Sequence, residues 1–410
     1  MSEVYLARST DKRTLARAEH GGVVTSLLAF MLGSGVVDAV LAIKARNGNR
    51  YEGVPTLITD PKDVIETAGS LHCASPNIAR CLKTYLDGAI GMKVAVTGKP
   101  CDIRAIVELA TRKQIARENV ILVGLNCTGT LPPAAAKRMS REAFGVDPDE
   151  VRREDIEDGR LTLTLQDGTE VSRDLDELES AGYGRRENCQ RCDVHIPIMA
   201  DLACGKWGTT DRKVTCVEVC SQTGSDVFAK AVEAGAIEVE RPTSEALQVR
   251  ERKDREATDS AKVWQERHFA AMRDTSSGQR LAYWAEQFSQ CIKCFACKDA
   301  CPICYCTDCY LEADRGFIPA GQVPPDIMFP ILRTIHVADS CVNCGQCQDG
   351  CPSELPLSRL AHMLNVEIGA VLGYRSGMDI GVPPPLSTVP EDELATLVAA
   401  GTQSRGRPSW

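Results

Sequence analysis

Two stretches of this sequence carry cysteines at a spacing suited to iron–sulfur chemistry. Cys291-x2-Cys294-x2-Cys297-x3-Cys301-Pro302 is the first, and Cys341-x2-Cys344-x2-Cys347-x3-Cys351-Pro352 repeats it fifty residues later. The short loop brings three thiolates to three corners of one iron–sulfur cube, while the fourth cysteine, beside its proline, reaches the other cube. The ligand sets are therefore expected to cross. Cys291, Cys294, Cys297 and Cys351 would hold one 4Fe-4S cluster, and Cys341, Cys344, Cys347 and Cys301 the other. Zinc ribbons pair two Cys-x2-Cys knuckles and do not repeat the Cys-Pro ending, which favours iron. The 39 residues between the runs open ICYCTDCYLEADRG, adding Cys304, Cys306 and Cys309. These could hold a zinc ion with a fourth ligand such as His336, or pack as soft buried side chains, which is the simpler reading.

Four more cysteines sit after strands or in a knuckle: Cys101 in VTGKPCDIRA, Cys127 in VGLNCTG, and Cys189 and Cys192 in ENCQRCDV. Ends of adjacent parallel strands converge, so Cys101 and Cys127 can meet although 26 residues apart. The Cys-x2-Cys knuckle could complete a set, although spacing alone leaves each thiol open to a core role. Gly21 and Gly22 precede an apolar helix, where side chains without Cβ bulk let backbone N–H groups approach a phosphate. Thr25 and Ser26 could add hydroxyl donors, and Lys99, in a loop after a strand, a cation. The plain alternatives are a glycine-rich helix start and a solvated lysine. Cys73, Cys81, Cys204, Cys216 and Cys220 read as buried small apolar residues.

The chain that positions these groups has 410 residues, enough for two or three domains, and a net charge of -9 that argues against nucleic-acid binding. Its first twenty residues are too charged for a secretory signal, so a cytoplasmic, reducing setting is expected and the 20 cysteines read as metal ligands rather than disulfides. The apolar stretch Gly21 to Ile43 is broken by Gly33-Ser34-Gly35 and Asp38. It therefore reads as a helix over about 22–32 and a strand over Val36 to Ile43, not as a membrane span. Strands at VVDAVLAI, KVAVTG and NVILVGLNC alternate with helices, an α/β pattern. LTLTL followed by Asp167-Gly168 and TEVS predicts a small antiparallel ribbon. KVTCVEVCS predicts a strand, SDVFAKAVEAG a helix ending at Gly235, and residues 244–288 long bridging helices. Residues 289–362 hold the cysteine runs, and 363–410 form an arm with a short helix near 390–400.

Taken together, GGVVTSLLAFMLGSGVVDAV at 21–40, TGKPCDIRA at 97–105, LNCTG at 125–129, the CQRC knuckle and ADLACGKWG at 200–208 resemble the beta subunit family of coenzyme F420 reducing hydrogenase and formate dehydrogenase. The resemblance covers about residues 1–240. The appended two-cluster module makes the whole chain most similar to the formate dehydrogenase members from methanogenic archaea. It implies a flavin-binding α+β or α/β domain in two parts, 1–130 and 131–243, a linker over 244–288 and a ferredoxin-like two-cluster domain. It also implies FAD with a 4Fe-4S cluster beside it, three such clusters in all, and hydride exchange with coenzyme F420 as substrate. By the same resemblance the flavin-side cluster falls on Cys101, Cys127, Cys189 and Cys192. The FAD site falls on Gly21, Gly22, Val23, Val24 and Thr25, on Thr97, Gly98, Lys99 and Pro100, and on Gly205. Family members often have a Ser-Lys-Tyr-like stretch where this chain reads AGSLHCASPN; Ser70, Ser75 and Asn77 could still touch the cofactor, and His72 reads as a local hydrogen-bonding group.

A flavin is needed wherever a hydride carrier meets one-electron clusters. Formate oxidation needs a molybdenum or tungsten pterin centre, for which no segment is left, so a partner subunit is expected to carry it. The alternatives are service to a hydrogenase or a heterodisulfide reductase, or a flavin-free polyferredoxin-like carrier.

Overall fold

A computed structural model describes residues 3–73, 76–209, 211, 213–306, 309–311, 315 and 327–387. Ser75 and the helix expected near 390–400 lie outside the described residues.

Eight strands form one mixed sheet in the order β11-β1-β10-β9-β5-β4-β2-β3. They are β1 (Glu3–Ser9), β2 (Ala39–Arg46), β3 (Asn49–Ile58), β4 (Val94–Gly98), β5 (Val120–Leu125), β9 (Leu202–Gly205), β10 (Thr215–Val219) and β11 (Ile237–Glu240). The centre, β2, β4, β5 and β9, is parallel, with registers such as Val94 opposite Val120 and Leu125 opposite Cys204. β4 is buried along its whole length, as a central parallel strand covered on both faces should be. The sheet draws strands from both sides of residue 130, so the two parts expected for the first domain share one core. Helix Val23–Gly33 and helix Gln222–Glu233 pack together on one face around Leu27, Leu28, Met31 and Phe228. Helix Ile78–Tyr85 and helix Pro100–Thr111 belong to a second core with Ile78, Leu82, Ile103 and Ile106. The apolar stretch after Gly21 divides as its glycines and Asp38 predict, into helix Val23–Gly33 and β2, and among the described residues no helix is long and apolar enough to cross a membrane.

The ribbon comprises β6 (Val151–Glu157), β7 (Arg160–Leu165) and β8 (Glu170–Asp174). Its β7–β8 turn at Asp167-Gly168 falls where the pattern places it. The other hairpin escaped the sequence reading: Asp158 and Gly159 take φ 48° and 70° between the paired Glu157 and Arg160, the primed two-residue turn that suits strand twist.

The segment 244–288 is two helices, Ser244–Arg273 and Ser277–Phe288, separated because Ser276 and Gln279 form a reciprocal capping box that starts the second. The long helix runs from the ribbon to the cysteine-rich end. Lys253 pairs with Glu157 at 2.5 Å near its start, and Phe269 and Met272 pack with Trp284, Phe288 and Leu360 near its finish. In the cysteine module, short helices Ala296–Asp299 and Gln346–Asp349 recur at the same place in each run. Ile303 and Val342 join the core of Ile78, Leu82 and Ile106, so the module shares buried apolar surface with the sheet domain.

Candidate functional site

The carboxyl ends of β2, β4, β5 and β9 open onto a cleft of about 250 Å³. Open α/β sheets place their ligands at this edge, because helix N-termini and strand-end loops converge there. Gly22, at φ 70°, caps helix Val23–Gly33, and the first turn of that helix, Val23, Val24 and Thr25, lines the cleft. The left-handed backbone at Gly22 and the closeness of Thr14, 2.9 Å from a Cβ placed there, both require glycine. At β9 a Cβ on Gly205 would sit 2.4 Å from the Asn126 amide, so glycine lets the two strand ends close up.

Of the residues the family pattern assigns to FAD, Gly22, Val23, Val24, Thr25, Ser70, Thr97, Gly98, Lys99 and Gly205 line the cleft. Gly21 does not line it; a Cβ there would strike Ala7 O at 2.7 Å and Thr215 N at 2.8 Å, so its smallness serves strand packing. Ser26 does not either, because its hydroxyl donates to Ser9 Oγ at 2.7 Å inside the core. Asn77 caps helix Ile78–Tyr85, accepting from Ala79 N at 3.0 Å. Lys99 is a committed cation: its ammonium donates to Asp102 Oδ2 at 2.6 Å and to Pro76 O at 3.3 Å. Burial alone would lower its pKa, but Asp102 and Cys101 hold it above the ordinary lysine range. His72 bonds Glu19 Oε1 at 3.2 Å. Burial lowers the His72 pKa, yet the Glu19 carboxylate outweighs it and the imidazole stays protonated more readily than usual.

Sequence reasoning passed over several cleft residues. His20, Asn126, Lys206 and Trp207 line it, and the buried His20 Nδ1 and Asn126 Oδ1 have no hydrogen-bond partner among the described residues. Lys206 pairs with Asp155, which reaches the cleft from the ribbon. Asn126 lies inside the LNCTG motif, so its signal was at hand; Asp155 is brought in only by the tertiary fold. Two unsatisfied buried polar groups among Val23, Leu28, Ala42, Ile43 and Trp207 suit a ligand that is largely flat and apolar with polar edges.

At the foot of the cleft stand Cys127 and, across the strand ends, Cys101. Cys101 interacts electrostatically with Cys127 and Cys192, and Cys127 with Cys189, so these four thiols share one neighbourhood. Thr130 Oγ1 lies 3.6 Å and Asn188 Nδ2 3.7 Å from Cys189 Sγ, while His195 Nδ1 donates to Cys127 O at 3.0 Å. Burial pushes Cys127 up to about 11 and Cys192 up to about 12, so a bound metal, rather than the protein, has to draw off their protons.

Two further cavities hold the cysteine runs. Cys291, Cys294, Cys297 and Cys351 line one, the outer set. Cys341, Cys344, Cys347 and Cys301 line the other, the inner set, together with Cys297. Each cavity thus gathers three thiols of one run and the proline-flanked thiol of the other. The inner set lies within electrostatic reach of the Cys101, Cys127, Cys189 and Cys192 group: Cys101 acts on Cys344. Asn188 donates to Asn343 O at 3.0 Å and Asn343 returns a bond to Asn188 O at 2.9 Å, while Arg186 donates to Cys344 O at 2.9 Å.

Cys304, Cys306, Cys309 and His336 share a small cavity with Lys298 and Arg333. Among the described residues no group of three or more His, Cys, Asp or Glu side chains is gathered for a single ion. Cys309 instead packs with Leu311 and Phe329. A cubane takes its ligands at four corners rather than around one ion, so that spacing does not count against the three cluster sets. Cys73, Cys204 and Cys216 are buried, as small apolar residues should be.

Residues 4–80 match the N-terminal part, and residues 91–245 the C-terminal part, of the family described as coenzyme F420 hydrogenase/dehydrogenase, beta subunit. The chain is similar to F420-dependent formate dehydrogenase subunit beta of Methanocaldococcus jannaschii, with 41% identity over 92% of this chain and 97% of that protein. It is 40% identical to F420-dependent formate dehydrogenase 1 subunit beta of Methanococcus maripaludis, over 94% of this chain and 98% of that one. Its fold is also that of a chain in the F420-reducing NiFe hydrogenase complex from Methanosarcina barkeri, with a TM-score of 0.59, 22% identity, and coverage of 67% of this chain and 94% of that chain. The chain belongs to the coenzyme F420 hydrogenase/dehydrogenase beta subunit family, on its F420-dependent formate dehydrogenase side.

Proposed function

We propose that this chain is the electron-transferring beta subunit of a coenzyme F420-dependent formate dehydrogenase, an oxidoreductase subunit that works in the cytoplasm beside a molybdenum- or tungsten-pterin catalytic subunit. The observation that carries the proposal is the succession of its donor groups: Cys297 lines both the outer and the inner cavity, Cys101 acts electrostatically on Cys344 of the inner set and on Cys127, and Cys127 lines the cleft. Cys291, Cys294, Cys297 and Cys351, then Cys341, Cys344, Cys347 and Cys301, then Cys101, Cys127, Cys189 and Cys192 would hold three 4Fe-4S clusters. Bound FAD would supply the exchange between hydride, on the coenzyme F420 side, and single electrons, on the cluster side.

The chain's own share is placement and insulation. The first turn of helix Val23–Gly33 offers backbone N–H groups to an anionic part of the coenzyme, and Asn126 and His20 offer polar atoms that no other described residue satisfies. Asp102 keeps Lys99 in place while its Oδ1 accepts from Ile78 N at 3.2 Å, tying the start of helix Pro100–Thr111, just after β4, to the start of helix Ile78–Tyr85. Apolar packing of Ile303 and Val342 against Ile103 and Ile106 keeps water out beside the inner thiols.

The test is iron, acid-labile sulfide, zinc and flavin per chain on protein purified without oxygen. About twelve iron and one FAD are expected, four iron for each cubane. About eight iron with no flavin would replace the proposal by a simple carrier, and formate oxidation by this chain alone would remove the partner from it.

A further inference from the structure

The seam between the flavin-side thiols and the inner set is organised around one side chain. Arg191 lies inside the knuckle, between Cys189 and Cys192, and is fully buried. Its Nη1 donates to Glu187 Oε1 at 3.0 Å, to Glu187 O at 3.2 Å and to His268 Nδ1 at 3.2 Å. Its Nε donates to His362 Nδ1 at 3.2 Å and its Nη2 to Ser358 Oγ at 2.8 Å. The guanidinium therefore joins three elements: the knuckle, helix Ser244–Arg273 and helix Leu357–Leu372. Arginine can only donate, so both imidazoles accept through Nδ1 and are neutral. Burial, the largest influence on each, favours the same state.

The seam carries surplus positive charge. Arg359 shares Glu187 with Arg191, at 2.7 Å, and Arg375 pairs with Asp193 at 2.8 Å. Arg104, buried and donating to Ser376 O at 2.8 Å, acts on Cys192 and on Cys341, and Arg191 acts on Cys341 too. A buried ion network of this kind is a weak source of stability, since apolar packing of similar volume serves as well or better. Its place between two sets of thiols gives it a different use. One electron crossing the seam adds one negative charge on the receiving side and removes one from the other, with no bond made and no proton moved. A fixed cation nearby favours the more negative state.

We propose that Arg191 is a positioning residue of this seam: it locks the Cys189/Cys192 pair against the Cys341, Cys344, Cys347 and Cys301 set and makes reduction of the clusters they hold easier. The inference rests on the cluster reading above. Its test compares the full chain, in its complex and without oxygen, as wild type, Arg191→Lys, Arg191→Met and Glu187→Gln. Iron and sulfide are counted first, and each cluster is then followed by electron paramagnetic resonance during a redox titration. At full iron content, Arg191→Met lowers the reduced-to-oxidised ratio at a fixed solution potential by about tenfold. Glu187→Gln, which removes the neutralising carboxylate, raises that ratio, and Arg191→Lys stays near wild type. Unchanged ratios in both Arg191→Met and Glu187→Gln, or shifts of the same sign, overturn the role. If Arg191→Met loses iron, Glu187→Gln alone decides: a raised ratio supports the role and an unchanged one overturns it. A wild type short of about twelve iron overturns the cluster reading itself, and is told apart by the count alone.

Discussion

Two loops with the same cysteine spacing end in different surroundings. In the outer run Lys293 and Phe295 take φ 49° and 61°; in the inner run the equivalent Asn343 and Gly345 take 53° and 74°. The backbone is the same, including a left-handed residue just after the second cysteine, so the thiol geometry does not depend on which residue stands there. The neighbours do. Phe295 packs edge-on against Phe329 with ring centroids 4.9 Å apart, and Cys294 is exposed to solvent. At Gly345 a Cβ would lie 2.2 Å from Asn188 Oδ1 and 2.7 Å from Arg186 Nη2, because the sheet domain presses onto the loop. The glycine of the inner run is there for close approach to another domain rather than for its turn, since a phenylalanine makes the same turn fifty residues earlier.

The sharpest way to break this comparison is to exchange the two residues. Gly345→Phe should cost about 3 kcal/mol or more by overpacking the seam, and should release the iron of the inner set first, as seen by unfolding and iron analysis. Phe295→Gly should cost on the order of 1 kcal/mol, because lost contact with Phe329 is offset by relief of the positive φ. A gain in stability from Phe295→Gly as large as the loss from Gly345→Phe would mean that the turn, and not the seam, demands glycine.

Asn188→Ala comes next. It leaves Asn343 O without its donor in a buried position and should destabilise the chain by about 1–3 kcal/mol, measured by denaturant unfolding. An effect below about 0.5 kcal/mol would show that the reciprocal amide pair contributes little to joining the domains.

The smallest effect is a dependence on pH confined to the seam. Burial lowers His268 to about 4 and His362 to about 3. Around them stand Arg191, Arg359, Arg267, Arg104, Glu187 and Asp193, in which the cations outnumber the carboxylates. A histidine whose folded pKa is depressed contributes stability that is full above its unfolded value of about 6.5 and is lost as pH falls through the folded value. As pH falls from 6.5 to 4, amide protection relative to the intrinsic exchange rate should therefore fall in Leu357–Leu372 and around His268, with less change around the outer run. Uniform loosening of both runs would contradict it.

The local part of the site was legible because the thiols of each run are close in sequence. The four cysteines of each run could be assigned from spacing, and the thiols of the two cavities are grouped as that spacing anticipates. The flavin-side half was harder to read. Gly21, Ser26 and Asn77 resembled cofactor contacts, but a small residue at a strand crossing, a hydroxyl bonded inside the core and a helix cap look the same in one dimension. Asp155 and Lys206 meet from segments 51 residues apart, and no periodicity connects them.

Sequence alone determined the grouping of the two cysteine runs, the strands that end at the cleft and the ribbon, because each depends on neighbours within a few residues: thiol spacing, alternation, turn residues. Only the tertiary structure decided which run faces the sheet domain, which cations lie between the thiol sets and which glycines serve contact rather than turning. Those choices rest on buried charge and close packing between elements up to about 270 residues apart, as where Arg104 meets Ser376. Such contacts pair surfaces rather than successive residues, so they leave no period in the chain.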